Sequence, residues 1–258
     1  KLFTLIPLGS IAWRVNLFSA FCASLAVMFT YLIIVELIRR ISPDSSLGQR
    51  FVPGLCGSLI LAFSDTFWSQ AVIAEVYALY TCMIALTFLV LLRWTREKKP
   101  HLLYWFSFLY GLTIVCHQLG LFFWLGFLLL IILYEPAVFT RPKTVFLLAC
   151  FFFLGLSLYL YVLLRSRIAA PFTWGWVHDF KDLANFILRK DYQGVRPNYS
   201  LGDVFFFYKT ELSRLKSLWS FLSREFTPLW VLGIFGLIPL ALWGRRLLAV
   251  VVAIFLLA

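Results

Sequence analysis

Apolar residues run through this chain in long blocks separated by short polar loops. Bilayer hydrocarbon takes roughly 20 helical residues to cross, and Leu17–Ile38, Ala71–Leu92 and Thr144–Leu164 reach that length. Phe51–Phe63 is shorter and carries Pro53, Gly54 and Gly57, which predicts a broken or tilted helix shielded by neighbours. Leu102–Val115 and Leu119–Tyr134 read as a helical hairpin turning at His117-Gln118. Leu229–Trp243 and Leu247–Ala258 bring the candidate spans to eight, and no internal repeat recurs at a fixed period.

One sizeable hydrophilic region interrupts the pattern, between Arg165 and Pro228. Trp174, Trp176, Tyr192, Tyr199, Phe205–Phe207 and Trp219 make it too aromatic for a disordered linker. Asp179–Lys190 and Glu211–Leu222 each place apolar residues on one helical stripe, as helices that lie flat on a membrane interface do. The chain therefore divides into residues 1–164, a bundle of six candidate spans; 165–228, an amphipathic cap; and 229–258, two further spans. The expected fold class is an all-α, polytopic transmembrane bundle.

Charge orients it. Four short loops hold eleven Lys and Arg: Arg39, Arg40 and Arg50; Arg93, Arg96, Lys98 and Lys99; Arg141 and Lys143; Arg245 and Arg246. The loops at Asp65–Gln70 and Cys116–Gln118 hold none. Short cytoplasmic loops retain cations, so the basic set is expected inside, and the other loops with segment 165–228 outside. Composition agrees, with 62% hydrophobic residues, 14% charged and a mean hydropathy of +0.90. The net charge of +11 resides largely in those loops and not on a basic helix or RNA-binding motif, which argues against nucleic acid. The five cysteines lie in or beside apolar runs without CxxC or His-linked spacing, so neither a disulfide framework nor a zinc site is indicated. The chain opens on Lys1 without a signal-peptide pattern and closes inside an apolar run, which reads as an internal fragment.

Ionisable groups near spans are candidates for function because their desolvation is costly. Glu75 is expected about one turn into the third span from the outer side, without an i±4 cation, so its partner has to come from another helix. Arg14 and Arg165, at outer span ends, are the candidates. A structural ion pair is the plainer alternative. Asp65 reads equally as an N-cap, and Glu36 as a residue that snorkels to Arg39 or Arg40. His117 at an outer turn is either a ligand for an ion or phosphate or a hydrogen-bonded turn residue. Trp174 and Trp176 suit a sugar platform or an interfacial anchor, and Arg189 with Lys190 suits a lipid-linked phosphate or a solvated helix end.

Several segments together resemble the DUF2723, transmembrane protein 260-like family. Pro7-Leu8-Gly9-Ser10-Ile11-Ala12-Trp13-Arg14-Val15-Asn16-Leu17-Phe18-Ser19-Ala20 is similar to its P-x-G-x-x-A-x-R-x-N-L-x-S-A stretch. Phe67-Trp68-Ser69-Gln70 through Glu75-Val76-Tyr77, the Gly111 to His117 hairpin, Gly155 to Tyr161 with Arg165, Trp174-Gly175 and Arg189 to Tyr192 follow in order, over about residues 5–195. The resemblance implies a GT-C glycosyltransferase, a multi-span enzyme with an outward-facing site that uses a lipid-phosphate sugar, and in this branch O-mannosyl transfer to protein. Two features depart from the pattern. The family's Asp-Ser-Gly-Glu motif, whose acid implies the main base or a metal ligand, falls upstream of Lys1. Its Trp-Gly-Asp-Pro run is replaced here by Trp174-Gly175-Trp176-Val177, with Asp179 the nearest acid.

The expected reaction moves a sugar, mannose on that resemblance, from a polyprenyl-phosphate donor to a protein or glycan hydroxyl. Arg14, His117 and Arg165 gather around the phosphate and Glu75 orients one of them, while Trp174 and Arg189 contact substrate. No cofactor is assigned, and a divalent cation is left open. The expected partners are the lipid-linked sugar, the acceptor and membrane lipids, in a bacterial inner membrane or the endoplasmic reticulum. A transporter or flippase using Glu75 as a coupling carboxylate is the alternative, disfavoured by the lack of inverted repeats. A scaffold in envelope assembly is a third.

Overall fold

A computed structural model describes residues 3–168, 177–188, 190, 219–226 and 230–257. The described residues are mostly helical, with no strand among them, and the molecule is an all-α membrane protein. It divides into two compact units, Lys1–Leu156 with Pro228–Ala258, and Ser157–Thr227.

The first unit starts with α1 (Ile11–Ile41), followed by α2 (Leu47–Ala62), α3 (Asp65–Ala71), α4 (Tyr77–Glu97), α5 (Pro100–Cys116), α6 (Trp124–Tyr134) and α7 (Pro142–Leu156). Ile11–Ile41, Tyr77–Glu97 and Pro142–Ser166 are long and apolar enough to cross a membrane, while Pro100–Cys116 and Gln118–Tyr134 are shorter apolar helices. Local chemistry sets the starts. The Ser10 hydroxyl caps α1 by accepting from Trp13 N–H at 3.2 Å, and Ser46 with Gln49 forms a reciprocal capping box on α2. Pro100 opens α5, where its missing N–H costs nothing.

The short second run is not broken at its Pro and Gly residues: α2 continues uninterrupted through Pro53, Gly54 and Gly57, and the break comes after it. α2 ends at Ala62, and α3 leaves it at a 70° bend, so the pair is either one broken span or a re-entrant turn. The third run differs from expectation. Ala71 closes α3, residues 72–76 are non-helical, and α4 begins only at Tyr77. Glu75 therefore does not sit a turn inside a helix; it is an exposed linker residue just ahead of α4. The apolar pattern runs unbroken through Val72, Ile73, Ala74 and Val76 with no Gly or Pro, so periodicity alone conceals the break.

Among the described residues, two cores hold the bundle. Leu91, Leu92 and Trp94 of α4 pack with Leu103 and Phe106 of α5 and with Phe127 and Leu130 of α6. Where α1 crosses α4 the buried residues are small: Cys22, Ala23, Ala26, Ala78 and Cys82. Lipid supplies no hydrophobic force between helices, so close packing through small side chains has to hold such a crossing. The last two helices, α10 (Trp230–Trp243) and α11 (Arg245–Leu257), belong to this unit, and α11 packs on α6.

In the second unit, α8 (Leu160–Ser166) packs on α9 (Phe180–Ile187), and Leu163, Val177 and Leu183 are buried. The Asp179 carboxylate caps α9 by accepting from Asp182 N–H at 2.7 Å, which matches the helix predicted from that residue. Most of the predicted helix Glu211–Leu222 lies outside the described residues.

Candidate functional site

The segment before α1 gives the first motif its physical meaning. Gly9 takes φ +62°, a left-handed conformation that side-chain-bearing residues rarely adopt, and a Cβ there would meet the Trp13 ring. The turn brings three carbonyls to one guanidinium. Arg14 donates from Nη1 to Thr4 O at 2.7 Å, from Nε to Leu8 O at 2.9 Å and from Nη2 to Gly9 O at 3.0 Å. Arg14 is thus a clamp on the 4–9 segment, and three of its donor groups are already engaged.

His117 terminates α5. Its extended backbone (φ −158°, ψ 133°) ends the helix, and its N–H still donates to Thr113 O. Its Nδ1 accepts from Leu119 N–H at 3.1 Å, opening the 3-10 turn Gln118–Phe123. A neutral imidazole whose Nδ1 accepts carries its proton on Nε2, so Nε2 is the donor face of this ring. Two tyrosines flank it: the Tyr77 ring centroid lies 5.5 Å and the Tyr80 centroid 5.4 Å from that of His117. Both come from the first turn of α4, two and five residues after Glu75. The fold therefore brings His117 to the Glu75–Tyr80 segment.

Glu75 makes no ion pair among the described residues, and Arg14 supplies none. Arg165 is half-buried near the end of α8 in the second unit. Trp174 and Arg189 lie outside the described residues. Asp65 occupies the first turn of α3 and is not its cap; Ser64 holds that position without a side-chain bond. No group of three or more His, Cys, Asp or Glu suited to a metal occurs among the described residues.

Beside this end of α4, α1 and α3 line an open pocket of about 210 Å³ whose walls include Ala20, Ala23, Ser24, Phe67, Trp68 and Val72. Trp68 stacks on Phe63 across the bend, with centroids 5.9 Å apart. Small residues on α1 leave the space and aromatic residues on α3 roof it. Sequence reasoning missed the tyrosine flanks of His117, although Tyr77 and Tyr80 are spaced i, i+3 and so share a helix face. It also missed Arg96, whose Nε lies 2.8 Å from the buried carboxylate of Glu36; the expected neighbour Arg40 is farther, at 3.8 Å.

Arg14, Glu75, His117 and the pocket all fall within residues 1–139, which match the family described as Protein O-mannosyl-transferase TMEM260 N-terminal domain. No curated protein and no solved structure matches the chain. With more than half of its 258 residues aligned to that family, from the Arg14 clamp through the His117 turn, the chain belongs to the TMEM260 N-terminal-domain family of protein O-mannosyl-transferases.

Proposed function

We propose that this chain is the multi-pass membrane core of a GT-C type glycosyltransferase of the DUF2723 group, moving mannose from a polyprenyl-phosphate donor to a hydroxyl of a protein. The observation that carries the reading is the family match over residues 1–139. The chemistry is an inverting displacement. The acceptor oxygen bonds to the anomeric carbon as the carbon–oxygen bond to the phosphate breaks; the bonding pair leaves on the phosphate, and a general base takes the hydroxyl proton.

The His117 end of the bundle is the site in this reading. Nε2–H of His117 donates to an oxygen of the departing phosphate, held in place by the rings of Tyr77 and Tyr80. The exposed Glu75 orients a cation or the incoming hydroxyl. Arg14 acts one step back by fixing the 4–9 segment, and Arg165, Trp174 and Arg189 are proposed as substrate-contacting residues. The pocket under Trp68 receives the apolar or sugar part of the donor. This end faces outward and the basic loops face the cytoplasm, in the bacterial inner membrane or the endoplasmic reticulum.

The test uses the full-length protein in proteoliposomes with a polyprenyl-phosphate mannose and a Ser/Thr-containing acceptor peptide. Mannosylated peptide that depends on the lipid-linked donor is expected. Transfer from a nucleotide sugar alone, or none from any lipid-linked sugar, overturns the proposal.

A further inference from the structure

At the end of the bundle away from His117, helices converge cations on one aromatic ring. Tyr134 closes α6, and Arg40 Cζ, Lys98 Nζ and Arg246 Cζ lie 5.3, 5.6 and 5.6 Å from its ring centroid. These cations come from α1, the α4 C-cap and the first turn of α11. A ring quadrupole attracts a cation over its face but does not neutralise it.

The carboxylates at this end are too few. Glu36 is shared between Arg96 at 2.8 Å and Arg40 at 3.8 Å, Glu97 between Lys99 at 3.0 Å and Arg96 at 3.1 Å, and Glu135 between Arg141 at 3.1 Å and Lys98 at 3.5 Å. Each acid offsets one of the two cations it touches. Arg246 has no carboxylate partner among the described residues, and the buried Nε of Arg39 has no hydrogen-bond partner. Arg246 and Lys98 are exposed, and Lys98 Nζ, which donates to Tyr134 O at 2.8 Å and pairs with Glu135, keeps a third donor for an arriving anion.

The surroundings name the anion's source. Trp94 is buried beneath Lys98, its ring 4.8 Å from Nζ, so the cation stands where the apolar span ends. Ile132 of α6, Leu242 of α10 and Val251 of α11 are exposed large apolar side chains on the helices that build this rim. A phosphate seated here with apolar helix surface beside it has the chemistry of a phospholipid, headgroup on the cations and acyl chains along the helices.

We propose that the Tyr134 rim is a binding site for an anionic phospholipid, with Arg246 and Lys98 contacting its phosphate and Arg40 held behind them over the Tyr134 ring. The site is independent of sugar transfer and lies at the other end of the bundle.

The experiment measures retention of phosphatidylglycerol against phosphatidylcholine by the full purified chain in detergent, using native mass spectrometry. The wild type is expected to retain phosphatidylglycerol preferentially. K98N/R246Q is expected to weaken that retention by about thirtyfold, the effect of two interfacial cations. Asn suits position 98 because Lys98 has φ 56°, a left-handed conformation that Asn tolerates. R246K, which keeps the charge, is expected to bind like the wild type. Equal retention by the double variant overturns the site. If that variant does not fold, R246Q alone decides at an exposed position, and unchanged retention again overturns it. Displacement of the lipid by excess inorganic phosphate, beyond that caused by chloride of equal ionic strength, assigns a free-anion site and overturns the lipid.

Discussion

Glu75 and Glu36 show how little a carboxylate's position in sequence says about its energetic role. Glu75 is exposed and makes no ion pair among the described residues, so E75Q is expected to change stability by no more than about 0.5 kcal/mol. A drop in mannosyl transfer of about tenfold or more at unchanged melting temperature would then report lost transition-state stabilisation of roughly 1.4 kcal/mol. Unchanged transfer removes Glu75 from the site. Glu36 is the opposite case: it is 5% exposed and holds Arg96 and Arg40 from two helices. E36Q takes the carboxylate from Arg40 and leaves Arg96 with Glu97 alone, 3.1 Å away. Because Arg96 is partly exposed, the full cost of a severed buried pair does not apply, and about 1–2 kcal/mol is expected. Arg14 is a third kind of residue. R14K cannot span the carbonyls of Thr4, Leu8 and Gly9 with one ammonium, and a loss of about 1–2 kcal/mol is expected in thermal unfolding of the detergent-solubilised protein. If R14K kept full stability but lost transfer, the guanidinium would belong on the substrate phosphate instead.

Between elements, backbone proximity sets the tightest constraint, and it sits at the crossing of α5 and α7. A Cβ at Gly111 would clash with Phe152 O and lie 3.1 Å from Gly155 Cα; one at Gly155 would clash with Phe108 O and lie 2.9 Å from Leu112 N. Backbone cannot swing aside as a side chain can, so G111A and G155A are each expected to cost about 1–3 kcal/mol. G233A and G236A, where a Cβ meets nothing within 4 Å, are expected to be neutral or slightly stabilising in the same melting assay. Equal behaviour of the four variants would mean that the crossing is not close. This scale also marks how far the sequence could be read. The turn at His117-Gln118 and the helix that starts at Asp179 are legible because a polar pair and an apolar stripe signal them locally, whereas the Pro/Gly cluster of α2 lies inside a continuous helix and does not mark the bend that follows Ala62. The α3–α4 break is not legible either, since five residues of mostly apolar linker look like continuing helix. The Glu36–Arg96 pair and the tyrosine flanks of His117 join residues dozens of positions apart, and no local pattern encodes such contacts. For the candidate site, the residue types were legible and their engagements were not: Arg14 is committed to carbonyls and Glu75 stands outside the helix.

At the scale of the whole molecule, one physical asymmetry organises everything else. The α4 axis is 21 residues long, about 30 Å, close to the thickness of bilayer hydrocarbon. His117, Tyr77 and Glu75 gather at its start, while Lys98, Arg96, Arg40, Arg141 and Arg246 gather at its end. Cations kept on one side of the membrane fix orientation, so the two ends are expected to face different compartments. Single cysteines placed at Asp65 and at Lys98, in a chain from which the native thiols Cys22, Cys56, Cys82, Cys116 and Cys150 have been removed, test this in intact cells. Both positions are exposed, so access depends on the side of the membrane and not on burial. An impermeant maleimide is expected to label D65C from outside, and to label K98C only after permeabilisation. Reversed labelling would turn the His117 end toward the cytoplasm, where an outward-facing transfer reaction is impossible. Labelling of both from outside would mean that α4 does not cross at all, and the lipid rim at Tyr134 would lose its leaflet.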